Sequence, residues 1–135
     1  MGKLVLIADD DRDIVRFVAL NLRLEGFEVV VADNGQDALD KALDVRPSLI
    51  LLDTIMPRMD GYEVCARFRD QRPDSPVPVI MLTAKSLDAD RAMAFTAGAD
   101  DWVTKPFDPA DLVSKVKDHL RGREEAAVGQ RRLST

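Results

Sequence analysis

The chain has little of the chemistry that cysteine and histidine provide. Its 135 residues include one cysteine, Cys65, and one histidine, His119. A single cysteine excludes an internal disulfide bond, and no Cys/His spacing resembles a zinc site. Nothing beside Cys65 in sequence would activate its thiol, so we predict a buried core cysteine and a reducing compartment, the cytoplasm. For His119, on the last predicted helix, we expect exposure to solvent.

Basic charge and long apolar runs are also scarce. The formal net charge is -5, whereas a domain that binds nucleic acid through its own surface needs a clustered basic excess. No apolar run approaches the roughly 18 residues of a membrane-spanning helix, and the residues after Met1 lack a signal-peptide cleavage site. We therefore expect protein or small-molecule partners, without direct nucleic-acid binding and without membrane association.

A glycine-rich phosphate loop is missing as well. The first apolar run, residues 4–8, leads into Asp9, Asp10 and Asp11 instead of into glycines. Acids at this position would repel a phosphate in the absence of a metal, which disfavours a mononucleotide-binding relative of flavodoxin. One of the three acids can cap the next helix, but a cap does not explain why several negative charges lie together.

The chain does contain a regular alternation of short apolar runs and helical patterns. The run from Leu49 to Leu52 has no polar alternation, which is typical of a strand buried on both faces of a parallel sheet. Strands and helices alternate five times, so we predict an α/β fold with right-handed crossovers around a five-stranded parallel sheet. The predicted strands are residues 4–8, 28–32, 49–53, 77–82 and 101–104.

The apolar periodicity of the helical segments predicts which residues face the core. The predicted core positions are Ile14, Phe17, Val18 and Leu22 on the first helix, Ala38, Leu39, Ala42 and Leu43 on the second, Val64, Cys65 and Phe68 on the third, and Leu112, Val113, Val116 and Leu120 on the last. The fourth helix, from about Leu87 to Ala97, has a weak stripe including Ala92 and Met93, which suggests an element that can move. From Gly122 onward no apolar period is present. We therefore predict one domain over residues 1–121 and a flexible tail or linker stub over 122–135.

Unusual polar residues follow the predicted strands. Asp9 and Asp10 follow the first strand, Asp53 ends the third, Thr83 follows the fourth and Lys105 follows the fifth. Because the carboxyl ends of parallel strands lie along one edge of the sheet, where ligands bind, we expect these side chains to meet there. Converging carboxylates repel one another unless a cation neutralises them, and an oxygen-only ligand set suits Mg²⁺. Asp53 would then be a nucleophile towards a phosphoryl group whose oxygens contact Lys105 and Thr83.

These residues occur in motifs that resemble the receiver domain of two-component response regulators. The motifs are Asp9-Asp10, Asp53-x-x-Met-Pro-x-Met-Asp-Gly, Thr83-Ala84, Gly98-Ala-Asp-Asp and Lys105-Pro-Phe. They span nearly all of residues 3–121 in the order and spacing of that family. The resemblance implies a flavodoxin-like sheet with strand order 2-1-3-4-5. It also implies transfer of a phosphoryl group to Asp53 from the phosphohistidine of a sensor kinase or phosphotransfer protein.

The resemblance further implies the ligands of the metal. Mg²⁺ would be held directly by Asp10 and Asp53, largely through water by Asp9, and by the main-chain carbonyl of Ile55. It also implies a cis peptide bond between Lys105 and Pro106, which aims the lysine side chain into the site.

The same resemblance implies a conformational switch and two positions that set the lifetime of the phosphoryl group. Thr83 would move towards the phosphoryl oxygens, and Trp102 would rotate into the space behind it, although ordinary packing is the alternative for this ring. The face formed by the fourth helix, fifth strand and fifth helix would then change shape. Ile55 and Lys85 occupy positions that tune the phosphoryl lifetime, and we expect apolar Ile55 to hinder the hydrolytic water.

The run 98–107 is most similar to receivers attached to winged-helix DNA-binding domains, which dimerise through that same face. Asp101 and Lys115 could supply part of the charged pairing of such a homodimer, whereas Thr96 stands where these receivers often carry a glutamate. We interpret the chain as a stand-alone receiver or one separated from an output domain, acting through protein contacts. It would be a signalling domain and not an enzyme, catalysing only its own phosphoryl transfer and dephosphorylation.

Two other classes stay open at this point. A phosphatase of the haloacid dehalogenase type also uses an aspartate nucleophile with Mg²⁺, but it needs a second acid two residues on, where this chain has Ile55. A pseudo-receiver would have the same fold and act as a constitutive protein-binding module. Retention of every residue with a chemical role counts against the pseudo-receiver.

Overall fold

The computed structural model describes residues 3–84 and 88–133, along which strands and helices alternate. The elements are β1 (Leu4–Ala8), α1 (Arg12–Leu24), β2 (Glu28–Ala32), α2 (Gly35–Asp44), β3 (Leu49–Asp53), α3 (Gly61–Gln71), β4 (Val79–Thr83), α4 (Asp88–Thr96), β5 (Asp101–Thr104) and α5 (Pro109–Leu133). All strand pairs are parallel and the order is β2-β1-β3-β4-β5. The predicted fold class and strand order are confirmed.

The burial of the strands explains their composition. Every residue of β3 and β4 is buried, whereas the edge strands β2 and β5 are mostly half-buried. Alternate residues of the central strands point to opposite faces, so both sets must be apolar. One set packs with α1 and α5 and includes Val5, Ile7, Leu49, Leu51, Ile80 and Leu82. The other packs with α2 and α3 and includes Leu6, Ile50, Leu52 and Met81.

The predicted helix faces are largely right, and Phe17 is the clearest error. The predicted core residues of α3 and α5 are all buried, and Leu43 on α2 is half-buried. On α1, however, Phe17 is 52% exposed, while Val15 and Ala19 are buried beside Val18 and Leu22. Because successive helical residues are about 100° apart, the buried stripe is rotated by roughly one position relative to the predicted stripe.

Helix α4 is weakly attached to the core, as its pattern predicted, but through a different residue. Ala94 is its buried residue, whereas Ala92 and Met93 of the predicted stripe are exposed. Gly98 ends the helix with φ +102, and the amide of Ala99 donates to the carbonyl of Ala94 at 3.0 Å. The predicted start at Leu87 lies outside the described residues.

The last helix extends past the predicted domain boundary. The structure continues α5 to Leu133, where the sequence predicted a tail without regular structure. Glutamate, alanine and arginine dominate residues 123–132 and have high helix propensity, which favours continuation of a helix without an apolar face. The division into residues 1–121 and 122–135 stays a prediction. Within the described part of the chain, no helix is both long and apolar enough to cross a membrane.

Candidate phosphoryl and metal site

Backbone hydrogen bonds hold the acids at the carboxyl edge of the sheet. The amide of Asp9 donates to the carbonyl of Ala32 at 3.2 Å, and the amide of Thr54 donates to the carbonyl of Leu82 at 3.1 Å. These bonds extend β1 and β3 by one residue each. Asp9 and Asp53 are consequently buried, and Asp53 is 6% exposed.

Three carboxylates meet at this edge, as predicted. One oxygen from each of Asp9, Asp10 and Asp53 lies within 4.8 Å of the other two. Backbone amides donate to two of these acids: the amide of Asp11 to Asp9 Oδ1 at 2.9 Å, and the amide of Ile55 to Asp53 Oδ1 at 3.4 Å. These oxygen donors suit a hard divalent cation. Because Asp10 is exposed to solvent, such a cation could keep part of its water shell.

Lys105 joins the cluster from the end of β5. Its Nζ lies 2.7 Å from Asp9 Oδ2 and 3.5 Å from Asp53 Oδ1. Its amide donates to the carbonyl of Thr83 at 2.7 Å, and the bond to Pro106 is cis, as the family resemblance implied. Burial alone would lower the pKa of Lys105, but the bond with Asp9 and the charge of Asp53 outweigh it and raise that pKa. The ammonium therefore stays charged inside the site.

The electrostatics of Asp53 differ from those of an ordinary aspartate. Its pKa is raised from 3.8 to about 6. Burial is the largest cause of the increase and the charge of Asp9 is the second, whereas Lys105 lowers the pKa. Lys105 thus offsets only part of the combined effect of burial and of the charge of Asp9 on the Asp53 carboxylate. A further cation would complete the neutralisation, which is the chemical reason that this cluster suits a metal.

The two predicted switch residues open onto one narrow cleft. In the parallel pairing of β4 with β5, Trp102 lies opposite Met81, and Thr104 lies opposite Thr83. Trp102 is thus two residues before the partner of Thr83. The cleft is lined by Thr54, Tyr62, Thr83, Asp90, Arg91 and Trp102, among others. Burial and the nearby charge of Asp90 raise the pKa of Tyr62. Thr83 and Trp102 therefore line the same cleft, and their roles in a switch stay predictions.

The predicted timing residues have different outcomes. Ile55 is 66% exposed, and its amide donates to Asp53 Oδ1. Lys85 lies outside the described residues. The predicted roles of both positions stay predictions.

The sequence interpretation missed the part that Gly61 plays in holding Asp53. A Cβ at Gly61 would lie 2.1 Å from the main-chain oxygen of Asp53, and the amide of Gly61 donates to the carbonyl of Thr54 at 3.0 Å. Only glycine allows the start of α3 to approach the nucleophile's backbone this closely. The available signal was the Asp60-Gly61 pair, which predicts a helix start, and Asp60 is the N-cap of α3.

The expectation for His119 is wrong. Its Nε2 lies 3.0 Å from Asp101 Oδ2, and the side chain is half-buried between α5 and β5. Lys115 Nζ contacts the other oxygen of Asp101 at 3.1 Å. Burial alone would raise the pKa of Asp101, but the bond with His119 and those from the Trp102 amide and Lys115 lower it. Solvent exposure failed as a prediction because β5 is a short edge strand that leaves Asp101 within reach of α5.

Cys65 is confirmed as a core thiol. It is buried on α3, and burial raises its pKa to about 11. A thiol with this pKa stays protonated near neutrality and is a poor nucleophile.

Comparisons with known proteins agree with this geometry. The sequence model of the response regulator receiver domain matches residues 5–117. The chain is 42% identical over 127 residues to the alkaline phosphatase synthesis transcriptional regulatory protein PhoP of Bacillus subtilis, with 94% of this chain and 52% of PhoP covered. It is also 42% identical over 125 residues to the DNA-binding response regulator MtrA of Mycolicibacterium smegmatis, with 93% and 54% covered. The chain thus spans about half the length of these curated relatives.

Solved structures show the same architecture. A receiver domain protein (CheY-like) from Methanospirillum hungatei superimposes with a TM-score of 0.87 at 32% identity, covering 93% of this chain and 99% of that one. The BeF3-activated receiver domain of DrrB gives a TM-score of 0.81 at 35% identity, covering 90% and 99%. Both likenesses cover at least 90% of this chain.

Proposed function

The chain belongs to the response regulator receiver domain family, and from this premise we propose that it accepts a phosphoryl group on Asp53. The observation that carries the proposal is the convergence of Asp9, Asp10, Asp53 and Lys105 at one sheet edge. Three acids around one lysine have no stabilising purpose there, because burial and the neighbouring charge of Asp9 raise the pKa of Asp53 and so oppose its ionised form. An arrangement that lowers stability in this way is typical of a site that binds a ligand.

In the proposed reaction, a carboxylate oxygen of Asp53 bonds to the phosphorus of a donor phosphohistidine. The N–P bond of the donor breaks, and the imidazole leaves with the electron pair. The product is an acyl phosphate, in which the attacking oxygen of Asp53 carries the phosphoryl group. Lys105 Nζ, already near Asp53 Oδ1, is positioned to bind a phosphoryl oxygen, and the Thr83 hydroxyl is assigned to another. Activity would be limited to this transfer and to the later loss of the phosphoryl group.

We assign Mg²⁺ to the acid cluster, held by Asp10, Asp53 and the main-chain carbonyl of Ile55, with Asp9 acting largely through water. When bound, the ion would neutralise charge on the carboxylates and on the phosphoryl oxygens. The fit is supported by the oxygen-only donor set and by the elevated pKa of Asp53.

The proposed output is a change in the face formed by α4, β5 and α5. Thr83 and Trp102 line the same cleft beneath α4, and α4 itself is held by little buried surface. Movement of Thr83 towards a phosphoryl group would therefore alter a face whose rearrangement costs little free energy. Asp101 and Lys115, predicted to pair between subunits, contact each other within this chain, and the homodimer stays a proposal.

The partners we propose are a sensor histidine kinase or phosphotransfer protein and a downstream protein or output domain. MtrA is named as DNA-binding and PhoP as a transcriptional regulator, which favours a transcriptional pathway for this receiver. The domain itself has net charge -5 and is not proposed to contact nucleic acid. A cytoplasmic location suits its buried thiol.

Trp102 fluorescence provides the test. Mg²⁺ is titrated first and beryllofluoride second, with wild type, Asp53→Ala and a matched control, Asp70→Ala, which removes an exposed acid on α3. We expect a response to Mg²⁺ that beryllofluoride extends, in wild type and in the control but not in Asp53→Ala. Absence of any response in wild type would instead favour a pseudo-receiver that binds partners constitutively.

A further inference from the structure

Two side chains of one turn of α4 contact the indole of Trp102, and Lys115 Nζ on α5 lies farther away, 6.0 Å from the centre of the ring. The guanidinium carbon of Arg91 lies 4.2 Å from the centre of the Trp102 ring. Phe95 contacts the same ring edge-on, with centroids 5.4 Å apart and an interplanar angle of 87°. Arg91 and Phe95 are four residues apart, so they project from the same face of the helix. Trp102 is therefore clamped by a cation and an aromatic edge from one element.

These two contacts link α4 to β5. Ala94 is the buried residue of the helix, and Phe95 and Met93 are about half exposed. A helix with so little buried surface depends on the few specific contacts that it makes. The contacts of Arg91 and Phe95 with Trp102 thus matter for where both the ring and the helix lie.

We propose that Arg91 is a positioning residue that holds Trp102 in the arrangement seen here and so opposes the switch of the receiver. The inference rests on the proposed function, in which Trp102 moves towards the space behind Thr83. In the proposed rotation the ring would leave the guanidinium, so the contact with Arg91 would belong to the arrangement seen here. A contact confined to the unswitched state lowers the population of the switched state.

The size of the effect follows from the geometry. Arg91 is exposed, and cation–π contacts at exposed sites shift an equilibrium by about twofold to fivefold. The apparent affinity for a ligand of the switched state varies in proportion to the fraction of molecules that are competent to bind it. Removing Arg91 should therefore tighten the binding of a phosphoryl mimic by about twofold to fivefold.

Electrostatics alone predicts the opposite sign, which makes the proposal testable. Loss of a positive charge from the α4 side of the domain weakens the attraction of an anion such as beryllofluoride. A purely structural role for Arg91 would lower thermal stability and leave the affinity unchanged. Tighter binding combined with lower stability is expected only if Arg91 stabilises the unswitched arrangement.

The experiment is a beryllofluoride titration at saturating Mg²⁺, with a thermal unfolding scan of each metal-free protein. The variants are Arg91→Ala, Arg91→Lys, which keeps a cation, and Phe95→Leu, which removes the aromatic edge. Arg16→Ala is the matched control, because Arg16 is an exposed helical arginine for which the described residues provide no ring contact or ion pair.

We expect Arg91→Ala and Phe95→Leu to shift the titration midpoint to lower beryllofluoride concentration by about twofold to fivefold while unfolding at lower temperature. Arg91→Lys should lie near wild type, and Arg16→Ala should bind equally or more weakly. An unchanged or weaker midpoint in Arg91→Ala overturns the inference. If wild type itself shows no response, the proposed function fails instead, so the two failures are distinguishable.

Discussion

Asparagine at position 53 should stabilise the metal-free protein at neutral pH. Asp53 lies beside Asp9, and its folded-state pKa of about 6 exceeds its ordinary value of 3.8. The native state therefore retains a proton on Asp53 over a pH range in which the unfolded state releases it. Stability falls as the pH rises through this range, because ionisation of Asp53 opposes folding. Asparagine keeps the shape of the side chain and removes the charge.

The magnitude follows from the two pKa values. The difference between 3.8 and about 6, at about 1.4 kcal/mol for each tenfold change in an equilibrium constant, corresponds to about 3 kcal/mol. The attraction of Lys105 is already included, since it contributes to the folded-state pKa. Solvent at the open sheet edge screens part of the repulsion, so we expect a gain of about 1 to 2 kcal/mol for Asp53→Asn above about pH 7.

The assay is urea denaturation followed by far-ultraviolet circular dichroism in the presence of a chelator, from about pH 4.5 to about pH 8. The stability difference between Asp53→Asn and wild type should shrink as the pH falls through about 6. Added Mg²⁺ should narrow it at neutral pH by stabilising wild type selectively. Asp70→Asn, an exposed acid on α3, is the control and should show no comparable gain. A difference that is independent of pH, or that widens in acid, would refute the reasoning.

Three further changes test other parts of the site. Lys105→Met removes the cation that contacts Asp9 and Asp53, and should lower the metal-free free energy of unfolding at neutral pH by about 2 kcal/mol, less than for a fully buried pair. Unchanged stability in urea denaturation would contradict this. Gly61→Ala should cost more than about 2 kcal/mol, because its Cβ meets the Asp53 carbonyl at 2.1 Å; a thermal scan like that of wild type would show the contact to be yielding. Ile55→Asn should shorten the phosphoryl lifetime severalfold by offering the hydrolytic water a hydrogen bond, as measured by phosphate release, and slower release would oppose this role.

The sheet and its acidic edge were predictable because their physical signals are local and strong. An uninterrupted run such as Leu49 to Leu52 is required on both faces of a central strand, and Asp53 can follow it only where the strand leaves the core. The alternation of elements then placed Asp9 and Lys105 at the same edge. Their contact at 2.7 Å joins residues that are 96 positions apart in the sequence.

The errors arise where burial depends on neighbours that the sequence does not identify. Phe17 fits the period of α1 as well as Val15 does, and only the packing against β1 and α5 decides which is buried. His119 was predicted to be exposed to solvent, because the sequence does not show that β5 places Asp101 beside it. Arg91 gave no signal at all, because a cation–π contact between α4 and β5 depends on the angle at which the helix crosses the edge strand.

The most direct test of the central claim is to find where a phosphoryl group becomes attached. The chain is incubated with acetyl phosphate, with and without Mg²⁺, and analysed by intact-protein and peptide mass spectrometry for wild type and Asp53→Asn. We expect one added phosphoryl group per chain, dependent on Mg²⁺, located on the peptide that contains Asp53 and absent from the variant. An unmodified wild type, or equal modification of Asp53→Asn at another residue, would contradict it.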